Sequence, residues 1–160
     1  MNTLHKLTLI AVSCGWLSLA RAEDVDWPEY LGGKERNLYS PLEQINRDNV
    51  SRLQVAWTYE TGDADEYQAN NLIVDGVLYT PTASRKVIAL DAATGEELWQ
   101  WDPAKEHAGA GRARQRGLVY WTSENGEEQR LFTAVKGFLF ALDAKTGATI
   151  RSFGDNGSIN

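Results

Sequence analysis

Arg112, Arg114 and Arg116 stand at alternate positions, so an extended backbone would project all three guanidinium groups to one side. Three such groups on one side need an anionic partner, and a planar fork of N–H donors can hold a carboxylate through two parallel hydrogen bonds. A solvated arginine loop with screened surface pairs is the competing reading.

Other chemistry is sparse. The single cysteine, Cys14, lies in the first 22 residues, and the two histidines are His5 and His107. Without that leader one imidazole and no thiol remain, too few for a His-based zinc site, and a Ser-His-Asp triad has one possible base. GxSxG, GxxxxGK(S/T) and CxxC are absent, and Gly109-Ala110-Gly111 runs on to Arg114 where a dinucleotide fingerprint needs its third Gly. Nucleotide and nicotinamide chemistry are therefore disfavoured. Trp57, Trp101 and Trp121 could stack on a planar ligand, although tryptophan in β-rich proteins is more often structural. His107 reads as a loop residue, and Glu124-Asn125-Gly126-Glu127-Glu128 as a solvated hairpin turn with Asn125-Gly126 as its positive-φ pair.

Positioning these residues requires a folded, exported domain. His5 and Lys6 precede an apolar run from Leu7 to Ala20 that ends in Ala20-Arg21-Ala22, the small-x-small pattern cut by signal peptidase. That run of about 14 residues is short for a membrane span of roughly 20. Residues 1–22 are accordingly read as a signal peptide and the destination as the periplasm. A short membrane anchor or a lipoprotein leader through Cys14 would place the folded part in the same compartment. Loss of the leader removes Lys6 and Arg21 and no acid, leaving 22 acidic against 14 basic side chains, a net charge of −8 that argues against nucleic acid as a partner. No transmembrane span is expected in the mature chain.

From Leu53 onward no stretch sustains a 3.6-residue apolar period, and the chain reads as short strands joined by turn chemistry. Leu53 to Tyr59 alternates like a half-buried strand. Leu72-Ile73-Val74 and Val77 to Thr80 flank Asp75-Gly76, the dipeptide of a two-residue type I′ hairpin. Lys86 to Leu90 and Glu96 to Trp101 follow, joined through Asp91-Ala92-Ala93-Thr94-Gly95. A second set of four comprises Gly117 to Thr122, Gln129 to Ala134, Phe138 to Leu142 and Ala148 to Ser152. Leu78-Tyr79-Thr80 matches Leu131-Phe132-Thr133 at a spacing of 53, and Ala89 to Gly95 matches Ala141 to Gly147 at 52. Four strands repeating at about 50 residues predict an all-β fold of propeller blades.

Each Asp-x-x-Thr-Gly turn has a local cause. Asp91 and Thr94 can hydrogen-bond the turn backbone while Gly95 adopts the left-handed conformation that closes it. Asp143, Thr146 and Gly147 repeat the arrangement. Ala89 leaves room for a bulky neighbour, and Trp99 is predicted to stack on the next blade, or else to fill the core of its own sheet.

The run Ala89-Leu90-Asp91-Ala92-Ala93-Thr94-Gly95-Glu96-Glu97-Leu98-Trp99 resembles the tryptophan-docking motif of the eight-bladed quinoprotein dehydrogenases, which use pyrroloquinoline quinone (PQQ). The second copy keeps Ala, Asp, Thr and Gly but carries Arg151 where the Trp would fall. Trp27 to Gly33, Tyr39 to Leu42, Asn49 to Leu53 and Ala56-Trp57 resemble that family's N-terminal lead-in, and Arg116-Gly117-Leu118-Val119-Tyr120-Trp121 its second-blade cofactor stretch. The resemblance lies nearest the glucose dehydrogenase-like, sugar and polyol branches, which lack a vicinal Cys pair.

What the resemblance implies is specific. Residues 23–62 form the lead-in with its first strand, and 63–160 form blades 1 and 2 of a longer propeller. Arg116 contacts the quinone, and Gln68 stands at the position, counted back from Leu72, where the family commonly has a cofactor-contacting Glu. Asn71 replaces the family's Pro. The catalytic Asp and the calcium ligands belong to later blades, so this segment holds neither a catalytic residue nor a metal ligand. The implied function is oxidation of a sugar or other alcohol, with PQQ and Ca2+ as cofactors and a quinone or cytochrome c as electron acceptor. The alternative is a non-catalytic propeller scaffold like the outer-membrane assembly lipoproteins.

Overall fold

The computed structural model describes residues 24–64, 66–107 and 117–160. They form two four-stranded antiparallel meanders, in which each strand pairs with the next in sequence. The first contains β1 (Leu72–Val74), β2 (Val77–Pro81), β3 (Val87–Asp91) and β4 (Glu97–Trp101). The second contains β5 (Val119–Thr122), β6 (Gln129–Val135), β7 (Phe138–Asp143) and β8 (Ser158–Ile159). This is the predicted all-β architecture, two sheets of propeller-blade type.

The tight turns follow from their residues. Asp75 and Gly76 take φ of 51° and 75°, as a type I′ hairpin demands, and this turn sets the register Val74↔Val77 and Leu72↔Tyr79. Lys136-Gly137 does the same between β6 and β7, with φ of 49° and 89°. In the Asp91 turn, Oδ1 accepts from the backbone N–H of Ala93 and Thr94 at 3.0 and 2.8 Å and from the Thr94 hydroxyl at 2.9 Å. Asp143 Oδ1 accepts from Lys145, Thr146 and the Thr146 hydroxyl at 3.1, 2.8 and 2.8 Å. Both turns close from Gly N–H to Asp C=O at 2.8 Å.

The sheets face each other across an apolar core that includes Leu72, Val87 and Ala89 from the first and Leu131, Phe140 and Leu142 from the second, all buried. Trp99 crosses between them, as predicted. Its indole N–H donates to Ala144 C=O at 3.1 Å, inside the second sheet's Asp-x-x-Thr-Gly turn. Ala89 lies directly opposite Trp99 in the β3–β4 register and is fully buried, so a small residue does stand where the indole needs space. Trp101 is buried, and its indole donates to the Thr149 hydroxyl at 3.0 Å.

Trp57, in the segment ahead of the first sheet, repeats the device. Its indole N–H donates to Ala92 C=O at 3.2 Å in the first sheet's turn, and the Tyr59 hydroxyl bonds the Glu97 carboxylate. Trp57 and Tyr59 thus stand to Ala92 and Glu97 as Trp99 and Trp101 stand to Ala144 and Thr149.

Three expectations change. Leu53 to Tyr59 is not a strand: it has no ladder partner among the described residues, and Val55 is 82% exposed. Its alternation serves the docking of Trp57 and Tyr59 rather than a sheet. Ala148 to Ser152 carries only the isolated bridge Leu142↔Thr149, and the fourth strand falls at Ser158–Ile159. The chain bends before β8 through the left-handed Gly154, Asn156 and Gly157, and Arg151 at this bend pairs with Glu106 at 2.8 Å and donates to Asn156 C=O at 3.2 Å. In the acidic hairpin only Gly126 has positive φ, while Asn125 is held by its own side chain, which accepts from the Ser123 hydroxyl at 2.6 Å. A four-residue helix, α1 (Pro103–Glu106), follows β4; Pro103 opens it, and Asp102 caps it by accepting from Ala104 N–H at 2.9 Å.

Candidate functional site

The two sheets meet along one line of backbone. Asn70, just ahead of β1, forms a parallel bridge with Gly117, just ahead of β5. A Cβ on Gly117 would come within 3.9 Å of Asn70 C=O, so the strand ends lie side by side. Around this bridge opens a cleft of about 390 Å³ lined by Tyr30, Gln68, Asn70, Leu72, Gly117 and Leu118.

Its chemistry is mixed. Leu72 and Leu118 are buried and supply an apolar floor, whereas Gln68 is exposed at the rim and offers an amide that both donates and accepts. Tyr30, 51% exposed, adds an aromatic ring on the lead-in. That lead-in is fixed to the first sheet by paired backbone hydrogen bonds between Trp27 and Ile73, at 2.7 and 3.0 Å. An aromatic ring, apolar walls and an amide donor suit a flat, partly polar ligand.

A compact side-chain network lies beside Gln68 in sequence, centred on Asn71. The side-chain carbonyl of Asn71 accepts from the Thr80 hydroxyl at 2.8 Å and from the Tyr67 hydroxyl, and those two hydroxyls lie 2.9 Å apart. The β1–β2 register brings Asn71 opposite Thr80 by continuing the pair Leu72↔Tyr79 by one residue. Tyr67 and Thr80 were not singled out by sequence reasoning. The turn-defined register could have placed Thr80, but nothing local marks Tyr67.

Arg112, Arg114 and Arg116 lie outside the described residues. Arg116 is covalently joined to Gly117, which lines the cleft. The tryptophans sort differently: Trp57 and Trp101 are locked structurally, while Trp121 is 42% exposed and carries the Arg130 guanidinium over its ring at 5.2 Å. Arg130 also pairs with Glu128 at 2.5 Å. His107 caps α1, and its ring lies 4.1 Å from that of Phe138. Tyr79 and Tyr120, 6.2 Å apart between the sheets, have phenol pKa values raised chiefly by burial, which keeps both neutral. Among the described residues no group of three or more His, Cys, Asp or Glu could hold a metal. No helix among them is long and apolar enough to cross a membrane.

Two consecutive four-stranded meanders, the first locked to the second by an indole on an Asp-x-x-Thr-Gly turn, define blades of a β-propeller built from docking-Trp repeats. The family profile described as "PQQ: Glucose/ethanol/alcohol dehydrogenase, beta-propeller domain" matches residues 27–160, and the chain belongs to this family of PQQ-dependent dehydrogenases. It is 41% identical over 131 residues to the dehydrogenase subunit of the quinone alcohol dehydrogenase of Gluconobacter oxydans, covering 79% of this chain and 17% of that protein. It is 34% identical over 161 residues to quinoprotein glucose dehydrogenase A of Acinetobacter calcoaceticus, covering 84% of this chain and 20% of that one. The structure resembles that of quinohemoprotein alcohol dehydrogenase from Comamonas testosteroni, with a TM-score of 0.64 at 31% identity over 77% of this chain and 18% of the other. The chain therefore spans about a fifth of the length of the relatives it matches.

Proposed function

We propose that this chain is the N-terminal part of a periplasmic PQQ-dependent dehydrogenase that oxidises a sugar or other alcohol. The observation that supports the reading is the cleft at the Asn70–Gly117 bridge: Gln68 lines it, and Arg116 is the neighbour in sequence of its wall residue Gly117. PQQ is flat and bears three carboxylates. The apolar floor of Leu72 and Leu118 with the ring of Tyr30 suits its plane, the Gln68 amide can donate to its oxygens, and the Arg116 guanidinium can pair with a carboxylate.

When bound, PQQ supplies the hydride acceptor for alcohol oxidation, and calcium acts as a Lewis acid beside it. This segment's part is to bind and orient. Gln68 in place of a carboxylate offers hydrogen bonds without charge, so the site gains an N–H donor and adds no repulsion toward an anionic ligand. The catalytic Asp and calcium ligands are expected beyond residue 160, and the electrons are expected to leave to a quinone or cytochrome c. The periplasmic assignment rests on the leader pattern of residues 1–22.

Reconstituting the full-length protein with PQQ and calcium, then assaying a panel of sugars and alcohols with a redox dye, tests the reading. Cofactor uptake with turnover supports it. Neither uptake nor turnover would return the protein to the scaffold alternative.

A further inference from the structure

We infer that Tyr67, Asn71 and Thr80 form a positioning device that fixes Gln68 for the cofactor, an inference that rests on the function proposed above. Gln68 lies in a short link with no strand pairing of its own, between Tyr67 and Asn70. Such a link has many accessible conformations, and ordering each of its residues costs backbone entropy. Here it is pinned at both ends. At one end Asn70 bridges to Gly117 of the second sheet. At the other, the Tyr67 hydroxyl reaches across four residues to the Asn71 side-chain carbonyl and meets the Thr80 hydroxyl at 2.9 Å. Thr80 in turn donates to Asn71 at 2.8 Å and stands on β2, whose place is set by the Asp75-Gly76 turn.

The rigid hairpin is thereby extended, through side chains, to the residue immediately before Gln68. Proline, which the family resemblance places at position 71, would stiffen the link by fixing its own φ. Asn71 achieves restraint by a different route, accepting two hydroxyl donors on one oxygen. The consequence is that Gln68 meets a ligand in the cleft with its backbone already placed, so less conformational entropy is lost on binding.

The test uses the full-length protein with Gln68→Ala, Tyr67→Phe, Thr80→Val, Thr80→Ser and the double variant Tyr67→Phe/Gln68→Ala. PQQ affinity is read by fluorescence titration, and amide exchange across residues 66–72 is read without cofactor. Tyr67→Phe and Thr80→Val should each speed exchange and weaken PQQ binding about two- to tenfold, the scale of one hydrogen bond. Thr80→Ser, which keeps the hydroxyl, should leave both near parental values. In the Gln68→Ala background Tyr67→Phe should cost no further affinity, since coupled residues are not additive. Full additivity, or exchange unaltered in Tyr67→Phe and Thr80→Val, would overturn the inference. A parent that takes up no PQQ would refute the cofactor role of the device and the proposed function together, while faster exchange in the variants would still support the pinning of the link.

Discussion

Trp99 rests directly on the backbone of Gly147: a Cβ placed on that glycine would lie 2.5 Å from Cε3 of the indole. Gly95 stands in the same relation to Trp57, where the distance to Cδ2 is also 2.5 Å. Each glycine is thus required twice, for its positive φ and for the ring it carries.

Gly147→Ala should therefore be severely destabilising. The left-handed conformation costs roughly 1–2 kcal/mol for a residue with a Cβ, and overpacking beneath the indole adds about 1–3 kcal/mol. Gly76→Ala provides the contrast, because its φ is 75° but nothing lies within 4 Å of the added methyl. Urea titration of both variants should give the larger loss for Gly147→Ala; equal losses would remove the packing role.

Trp57→Phe keeps a flat ring over Gly95 but deletes the N–H that reaches Ala92 C=O. A loss of about 0.5–1.5 kcal/mol is expected, as for a typical protein hydrogen bond. Near-UV circular dichroism with chemical denaturation would measure it, and unchanged stability would show that only the ring matters.

The Asp91 turn makes a pH prediction. The Thr94 hydroxyl, followed by the Thr94 and Ala93 N–H groups, lowers the carboxyl below its ordinary value of 3.8. A group depressed in the folded state gives its full stabilisation above the unfolded value and loses it as pH falls through the lower folded value. Stability should thus decline on acidification below about pH 4, with the slope reduced in Asp91→Asn. Thermal melts from pH 6 to 2.5 would compare them, and identical slopes would remove Asp91 from the account.

Arg116→Lys in the full-length protein should weaken PQQ binding about tenfold to a hundredfold with the fold kept, since Lys retains charge but loses the planar fork. Titrating apo-protein with PQQ and following recovered activity measures it. An unaltered affinity would make Arg116 structural.

Much of this was legible because the signals are local. Asp75-Gly76 announces its own φ values, and the two Asp-x-x-Thr-Gly turns carry their hydrogen-bond partners within five residues. Trp99 was legible through the repeat, which placed a small Ala opposite it. Alternation misled at Leu53 to Tyr59, because it records which side chains are anchored and not whether a neighbouring strand exists. At Ala148 to Ser152 the repeat pattern gives way to a bend through left-handed Gly154, Asn156 and Gly157, which the strand alternation does not reveal. Gln68 was marked only by the family resemblance, counted back from Leu72, whereas the support from Tyr67 depends on side chains meeting across two elements.

The two indole locks also bear on how the molecule is assembled. They join residues only 35 and 45 positions apart, Trp57 to Ala92 and Trp99 to Ala144. Loop closure over such spans is inexpensive and grows slowly with length. Each clasp therefore becomes available as soon as the next turn leaves the ribosome, and structure can propagate from one repeat to its neighbour in chain order.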